Sequence, residues 1–172
     1  RRARRVFITA PVKGPPVACV HCAIVLIGII DDALAHCHIS SNASCTTNAA
    51  APLIQILNET IGIEKALLNT THAMTGTQRV VDGPGGKDLR GGRAASANMI
   101  PASTGAAISV GEVIGELKGK FDGISMRVPV LTGSIADITF IAKRSTSVEE
   151  VNKILRDAAK SPRWAGIFTV TD

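Results

Sequence analysis

The sequence predicts an α/β fold, a mixed sheet covered by helices. Three observations carry this. Short apolar runs recur between Gly and Pro turn signals, as strands do. Longer segments repeat their apolar residues at helical spacing behind Ser or Thr capping signals. Hydrophobic residues make up 45% and aromatics 3% of the 172 residues, so the core must be built from Val, Ile, Leu and Ala.

The elements follow in order. Val6–Ala10, "VFITA", reads as a short buried strand stopped by Pro11, and "PVKGPP" as a loop. Val17–Ile30 is the most apolar stretch and reads as a second buried strand with an irregular extension; it is too short to span a membrane. It starts too far into the chain, after prolines, for a signal peptide. Thr47–Leu57 has Leu53, Ile54, Ile56 and Leu57 on one side of a helix that Gly62 ends. Pro52 is expected to be tolerated only near a first turn. Lys65–Thr71 is β-like and leads into His72. Ala73–Ala102 is rich in Gly, Arg, Asp and Ser and reads as a functional loop. Thr104 then caps a helix whose apolar face is Ala107, Val110, Val113, Ile114 and Leu117. "ISMRVPV" and "SIADITFIA" read as strands, the second alternating Ala136, Ile138 and Phe140 against Ile135, Asp137 and Thr139. "SVEEVNKILRDAAKS" is the clearest helix, with a Ser147–Glu150 capping box and a stripe of Val148, Val151, Ile154, Leu155 and Ala158. "GIFTVT" reads as a final strand.

Charge and cysteine usage narrow the function classes. The net charge is +5, much of it in "RRARR" at the start. A solvated end accounts for that cluster, because no nucleic-acid signature or interleaved aromatics accompany it. Cys19, Cys22, Cys37 and Cys45 do not form the even spacing of a secreted disulfide framework, which fits a reducing, cytoplasmic setting. Cys19 and Cys22 make a C-x-x-C with His21, His36, Cys37 and His38 nearby. Without a second well-spaced pair this is a weak zinc signal, and no metal is expected.

The chemistry centres on "SNASCTTN", Ser41–Asn48. Cys45 lies where a loop becomes a helix, and unpaired amides and the helix dipole favour an anion there. His72, after a strand, could meet it and form a cysteine–histidine pair able to attack an electrophilic carbon. On these two residues alone, a small buried cysteine without chemistry is the stronger reading. Hydroxyls at Ser44, Thr46, Thr75 and Thr104, the amide of Gly105, and the forked donors of Arg90, Arg93 and Arg127 suit anions. Together with the pair they point to a phosphorylated electrophile, provided the fold assembles them.

"SNASCTTN", "THAMTGTQRVVDGPGGKDLRGGRAASANMIPASTGAA" and "MRVPV", in that order, strongly resemble the phosphorylating glyceraldehyde-3-phosphate dehydrogenase family. The resemblance runs nearly continuously from Ser41 to Asp172, and "RRVFITAP" resembles the strand before it. It implies a largely antiparallel mixed sheet preceded by the end of a Rossmann-type cofactor domain. Residues 1–41 would be that remnant and 42–172 a C-terminally truncated catalytic domain. It implies that Cys45 is the nucleophile and His72 its base, passing through a thiohemiacetal and a thioester with hydride transfer to NAD, or to NADP. Thr75 and Arg127, with Arg90 close by, would bind the phosphate of glyceraldehyde 3-phosphate. Ser44, Thr46, Thr104 and Gly105 would bind attacking inorganic phosphate. The loop from about Thr75 to Asn98 would line a subunit interface, implying a homotetramer in the cytoplasm, with no membrane or specific nucleic-acid partner. Ala49 stands where many relatives carry a second cysteine.

The segment 12–40 departs from the family pattern, and no glycine-rich dinucleotide fingerprint appears. "GPGG" at Gly83–Gly86 follows no strand and opens no helix. The chain alone is therefore expected not to hold NAD. The alternatives are an erythrose-4-phosphate dehydrogenase of the same family, or an inactive piece serving as an interaction or metal-binding unit.

Overall fold

A computed structural model describes residues 3–11, 22–86 and 88–171. The chain forms two sheets. Strands β1 (Val6–Ile8), β2 (Cys22–Ile24) and β3 (Ile39–Ser41) make a three-stranded parallel sheet in the order β1-β3-β2. Strands β4 (Ile63–Ala73), β5 (Ile100–Ser103), β6 (Phe121–Val128) and β7 (Ser134–Ala142) make a four-stranded sheet in the order β5-β6-β4-β7. Here β4 and β6 are parallel, while β7 pairs with β4 and β5 with β6 antiparallel. This is the mixed, largely antiparallel sheet expected.

Helix α1 (Ala33–His36) is one turn. Helices α2 (Cys45–Thr60), α3 (Ala106–Val113) and α4 (Val148–Ala159) pack against the inner face of the larger sheet or against one another. Helix α2 is the centre. Its Ala50, Ala51 and Ile54 are wholly buried, and the core continues through Leu57, Ile63, Leu68, Val110 and Leu117. Aliphatic side chains fill this interior with little aromatic help, as the composition requires.

Several expectations need correction. Pro52 sits well inside α2, not in its first turn, because the helix begins at Cys45. The missing amide leaves the carbonyl of Asn48 without its helical donor; burial of Pro52 against the core offsets this. Only Cys22–Ile24 of the segment Val17–Ile30 is a described strand; from Leu26 the chain turns, with Ile29 and Ile30 amides donating to the Leu26 carbonyl. The earlier part of that segment, with Cys19 and His21, lies outside the described residues. Residues 100–102, expected in the long loop, belong to β5, which runs to Ser103, and His72 lies within β4. The expected buried stripe of α4 is only half-buried: Val148 is exposed, and Val151, Ile154 and Leu155 lie partly buried against the core. "GIFTVT" forms no strand: the Ile167 and Phe168 amides both donate to the Trp164 carbonyl, in a turn where no strand edge meets them.

One joint ties distant parts of the chain. Arg163 Nε donates to the Gly28 carbonyl at 2.7 Å, its Nη1 pairs with Glu59 at 2.9 Å, and its guanidinium stacks on Trp164 at 4.7 Å. Gly28 has φ +80°, and a Cβ there would press on the Trp164 ring at 3.1 Å. Both conditions call for glycine.

Candidate functional site

The site is built at the junction of β3 and α2. Ala43, a buried non-glycine residue at φ 58°, turns the chain from the strand into the helix. That left-handed conformation costs about 1–2 kcal/mol for an L-residue. It is held by the Ser41 hydroxyl, which accepts from the Ala43 amide at 3.1 Å and donates to the Ala10 carbonyl at 2.6 Å. Ser44 then caps the helix: its Oγ accepts from the Thr47 amide at 3.0 Å and contacts Thr47 Oγ1 at 2.8 Å. Cys45 is thereby the first residue of α2, free and exposed, among first-turn amides that have no helical acceptor.

His72 reaches it from the end of β4. Its Nε2 lies 3.3 Å from Cys45 Sγ. On the other side of the ring, Nδ1 is 2.7 Å from the Ala73 carbonyl and 2.6 Å from Arg127 Nη1, which is itself 3.1 Å from that carbonyl. Nδ1 donates to Ala73 in one tautomer and accepts from Arg127 in the other. The two protons on Nη1 allow Arg127 to serve either arrangement. Register places Arg127 here: His72 on β4 and Arg127 on β6 are directly paired residues of parallel strands. Thr46 Oγ1 lies 4.0 Å from the sulfur.

The fold thus brings together Cys45, His72, Arg127, Ser44 and Thr46. The other expected residues bond elsewhere. The Thr75 hydroxyl is engaged by Thr77 and Gln78, both at 3.0 Å. Arg90 donates Nε and Nη2 to Asp88, whose carboxyl is held below its ordinary range by that hydrogen bonding while the guanidinium is pushed up. The Thr104 hydroxyl accepts from the Ala106 amide at 3.2 Å, and Gly105 precedes α3 as its cap. Neighbouring Ser103 is level with Ile124 on β6, three residues or about 10 Å along the strand from Arg127.

Sequence reasoning did not find Ala43, Gln78, Asp88 or the Ala73 carbonyl. The D-x-R spacing of Asp88 and Arg90 was a readable sign of the ion pair. The loop glycines have a steric reason. A Cβ on Gly92 would run into the Gly83 carbonyl oxygen, and one on Gly85 would stand 2.5 Å from Leu89 Cα. They let backbones pass closely, and the Gly83 amide donates to the Gly92 carbonyl at 2.9 Å. Around the cysteine-rich segment, Cys22 is disulfide-bonded and Cys37 Sγ faces the Leu34 carbonyl. Among the described residues no cluster of three or more His, Cys, Asp or Glu could hold a metal, and no helix is long and apolar enough to cross a membrane.

A free thiol at a helix start, an imidazole at contact distance and a guanidinium behind it define a site capable of nucleophilic chemistry at sulfur. Comparison with known proteins gives the family. The model for the C-terminal domain of glyceraldehyde 3-phosphate dehydrogenase matches residues 44–172. A glyceraldehyde-3-phosphate dehydrogenase of Ogataea parapolymorpha is 46% identical over 171 residues, 99% of this chain and 49% of its own length. Glyceraldehyde-3-phosphate dehydrogenase 2 of Saccharomyces cerevisiae is 44% identical with the same coverage. A cytosolic glyceraldehyde-3-phosphate dehydrogenase of Chlamydomonas reinhardtii is 43% identical over 172 residues, 99% of this chain and 48% of its own. The chain belongs to the glyceraldehyde-3-phosphate dehydrogenase family, and it spans about half the length of these relatives.

Proposed function

We propose that this chain supplies the thiol, base and anion donors of a glycolytic oxidoreductase that converts D-glyceraldehyde 3-phosphate and inorganic phosphate to 1,3-bisphosphoglycerate. The observation that carries this is the 3.3 Å contact between Cys45 Sγ and His72 Nε2 at the start of α2. In this reading His72 takes the thiol proton, and Cys45 attacks the aldehyde carbon to form a thiohemiacetal. The developing oxyanion is stabilised by the Cys45 amide and the protonated ring. Oxidation of the thiohemiacetal to the thioester would need a hydride acceptor, which the family implies is NAD or NADP; phosphate would then attack the thioester carbonyl and displace the sulfur. Arg127 would hold one phosphate, with Thr75 beside it. Ser44, Thr46, Thr104 and Gly105 would receive the other. Arg90 joins either site only by exchanging Asp88 for a phosphate.

NAD, or NADP, is the hydride acceptor the family implies. The residues present do not fit it: Gly83–Gly86 lie in a loop where Gly85 packs against backbone, and no strand–turn–helix carries a glycine fingerprint among the described residues. We assign residues 1–41 to the end of a cofactor domain and 42–172 to the catalytic part. The separate three-stranded parallel sheet ending at Ser41 supports that division. A homotetramer is supported by the uncovered outer face of the larger sheet, where Leu67, Ile124, Ile135 and Ile141 are each more than half exposed. The cytoplasm is the proposed location, in line with the printed name of the Chlamydomonas relative.

The test is Cys45→Ser in a protein carrying the complete cofactor domain. Phosphate-dependent reduction of NAD by glyceraldehyde 3-phosphate should disappear; persistent turnover would sink the assignment. Comparing kcat/KM for erythrose 4-phosphate separates the two family activities.

A further inference from the structure

Behind the Cys45–His72 pair the inner face of the sheet carries an unusual row. Across β5, β6, β4 and β7 the register aligns Ile100, Arg127, His72 and Ser134 in one row. The next inward row is Ala102, Ser125, Thr70 and Ala136. Beyond it the face becomes apolar, with Leu68 beside Ile138. Thr70 is 1% exposed and Ser125 3% exposed. Neither hydroxyl has a hydrogen-bond partner, and neither does the buried Nε of Arg127. Thr70 and Ser125 are directly paired, and Arg127 is the next inward-facing residue on Ser125's own strand.

Buried polar atoms are almost always hydrogen-bonded, to protein or to ordered water. Three orphans grouped on one patch of sheet are not what a structural polar row looks like. A Thr and a Ser facing each other across paired strands ordinarily bond one another or the backbone. The row continues on either side into the small side chains of Ala102 and Ala136. A buried water needs two to four polar partners, and this patch offers three. Among the described residues Arg127 also has no carboxylate partner. Its Nη1 is committed to His72 Nδ1 and the Ala73 carbonyl, so the orientation of its planar fork depends on what Nε meets.

We propose that Thr70 and Ser125 form an enclosed water-binding site that positions Arg127 against His72. The water accepts from Arg127 Nε and donates to Thr70 Oγ1 and Ser125 Oγ. Thr70 and Ser125 touch neither thiol nor substrate. They are positioning residues that act through Arg127 on the imidazole, and so on the reactivity of Cys45. This rests on the proposed role of the Cys45–His72 pair, since it explains how that pair is kept aligned.

The experiment measures the rate at which iodoacetamide alkylates Cys45 in the full chain, followed by peptide mass spectrometry. It needs neither substrate nor cofactor, so its outcome is separate from the activity test of Cys45→Ser. Thr70→Val keeps the shape and removes the hydroxyl, and should slow Cys45 alkylation about tenfold, the effect of one lost net hydrogen bond. Thr70→Ser restores the hydroxyl and should restore the rate. Ser125→Ala provides a second variant with the same expected slowing. Thermal unfolding is recorded alongside, and all rates are taken well below the transition. A crystal structure should show a water within hydrogen-bond reach of all three atoms. Unchanged alkylation in both Thr70→Val and Ser125→Ala would overturn the proposal. So would a Thr70→Ser variant as slow as Thr70→Val, or a patch in which the two hydroxyls bond only protein.

Discussion

The paired ends of β4 and β6 and the loop between β4 and β5 handle the same chemical material in opposite ways. Both carry arginine and hydroxyls. In the loop the donors are consumed locally: Arg90 by Asp88 at 3.0 Å, Arg93 by Asp82 at 3.4 Å, Thr75 by Gln78. At the end of β6, among the described residues, Arg127 has no carboxylate partner, hydrogen-bonds to a histidine and a carbonyl, and keeps a buried Nε without a partner. A cation with a saturated fork is structural scaffolding, while one left underused is available for an anion. Location in a loop or a strand does not make the difference; the neighbouring acid does.

The strongest way to break the comparison is to remove the base. His72→Asn should lower turnover of the assembled enzyme by about 10²–10⁴-fold, the usual contribution of a general base. Steady-state kinetics with glyceraldehyde 3-phosphate measures it, and a drop below tenfold would mean that Cys45 works without the imidazole. Next comes the contrast between arginines. Arg127→Ala should weaken binding of the phosphorylated substrate about tenfold to a hundredfold, as loss of a charge-assisted pair does. Arg90→Ala should change KM by no more than about twofold, since exposed ion pairs contribute little. Equal effects would show that Asp88 releases Arg90 when substrate arrives.

A third variant probes the loop itself. Gly92→Ala drives a methyl group into the Gly83 carbonyl and should cost about 1–3 kcal/mol locally. Limited tryptic digestion should then cleave faster at Arg90 and Arg93, with Cys45 alkylation unchanged. Protection equal to the parent chain would show that the loop repacks. The smallest effect concerns α4. Glu150 is lowered to about 2 from an ordinary value near 4.5, first by hydrogen bonding to Arg144 and then to Thr146. A depressed folded-state value means the contribution is present above about pH 4.5 and fades as pH falls towards 2. Glu150→Gln should flatten that part of the stability profile in acid unfolding followed by circular dichroism, with no change at neutral pH in its slope.

Much of this was legible in the chain. The strands with clean alternation, the Ser147 cap of α4 and the cysteine at a loop-to-helix boundary are local patterns, and local physics makes them; the Glu150 carboxylate, expected to close a capping box, instead bonds Arg144 and Thr146. From Cys45 and His72 alone an inert buried cysteine was the stronger reading; only the surrounding anion donors and the family resemblance turned them into a pair. What could not be read depends on register and on neighbours. Nothing near Arg127 in sequence tells that it will lie beside His72; that follows from the parallel pairing of β4 and β6. Pro52 misled because a helix start is judged by its first apolar residue, whereas here Ser44 opens the helix among polar ones. "GIFTVT" has strand composition but meets no strand edge, and composition cannot supply one.

The joint made by Arg163 has a consequence in time. It fastens Gly28 and Glu59 to a residue that follows Gly28 by 135 positions. At synthesis rates of about 5–20 residues per second, the segment around Gly28 waits on the order of ten seconds for its fastener to be made. During that interval Trp164 is also missing, so the turn at Gly28 lacks the ring that packs against it. The hours of a protein's working life are preceded by seconds in which this corner is open.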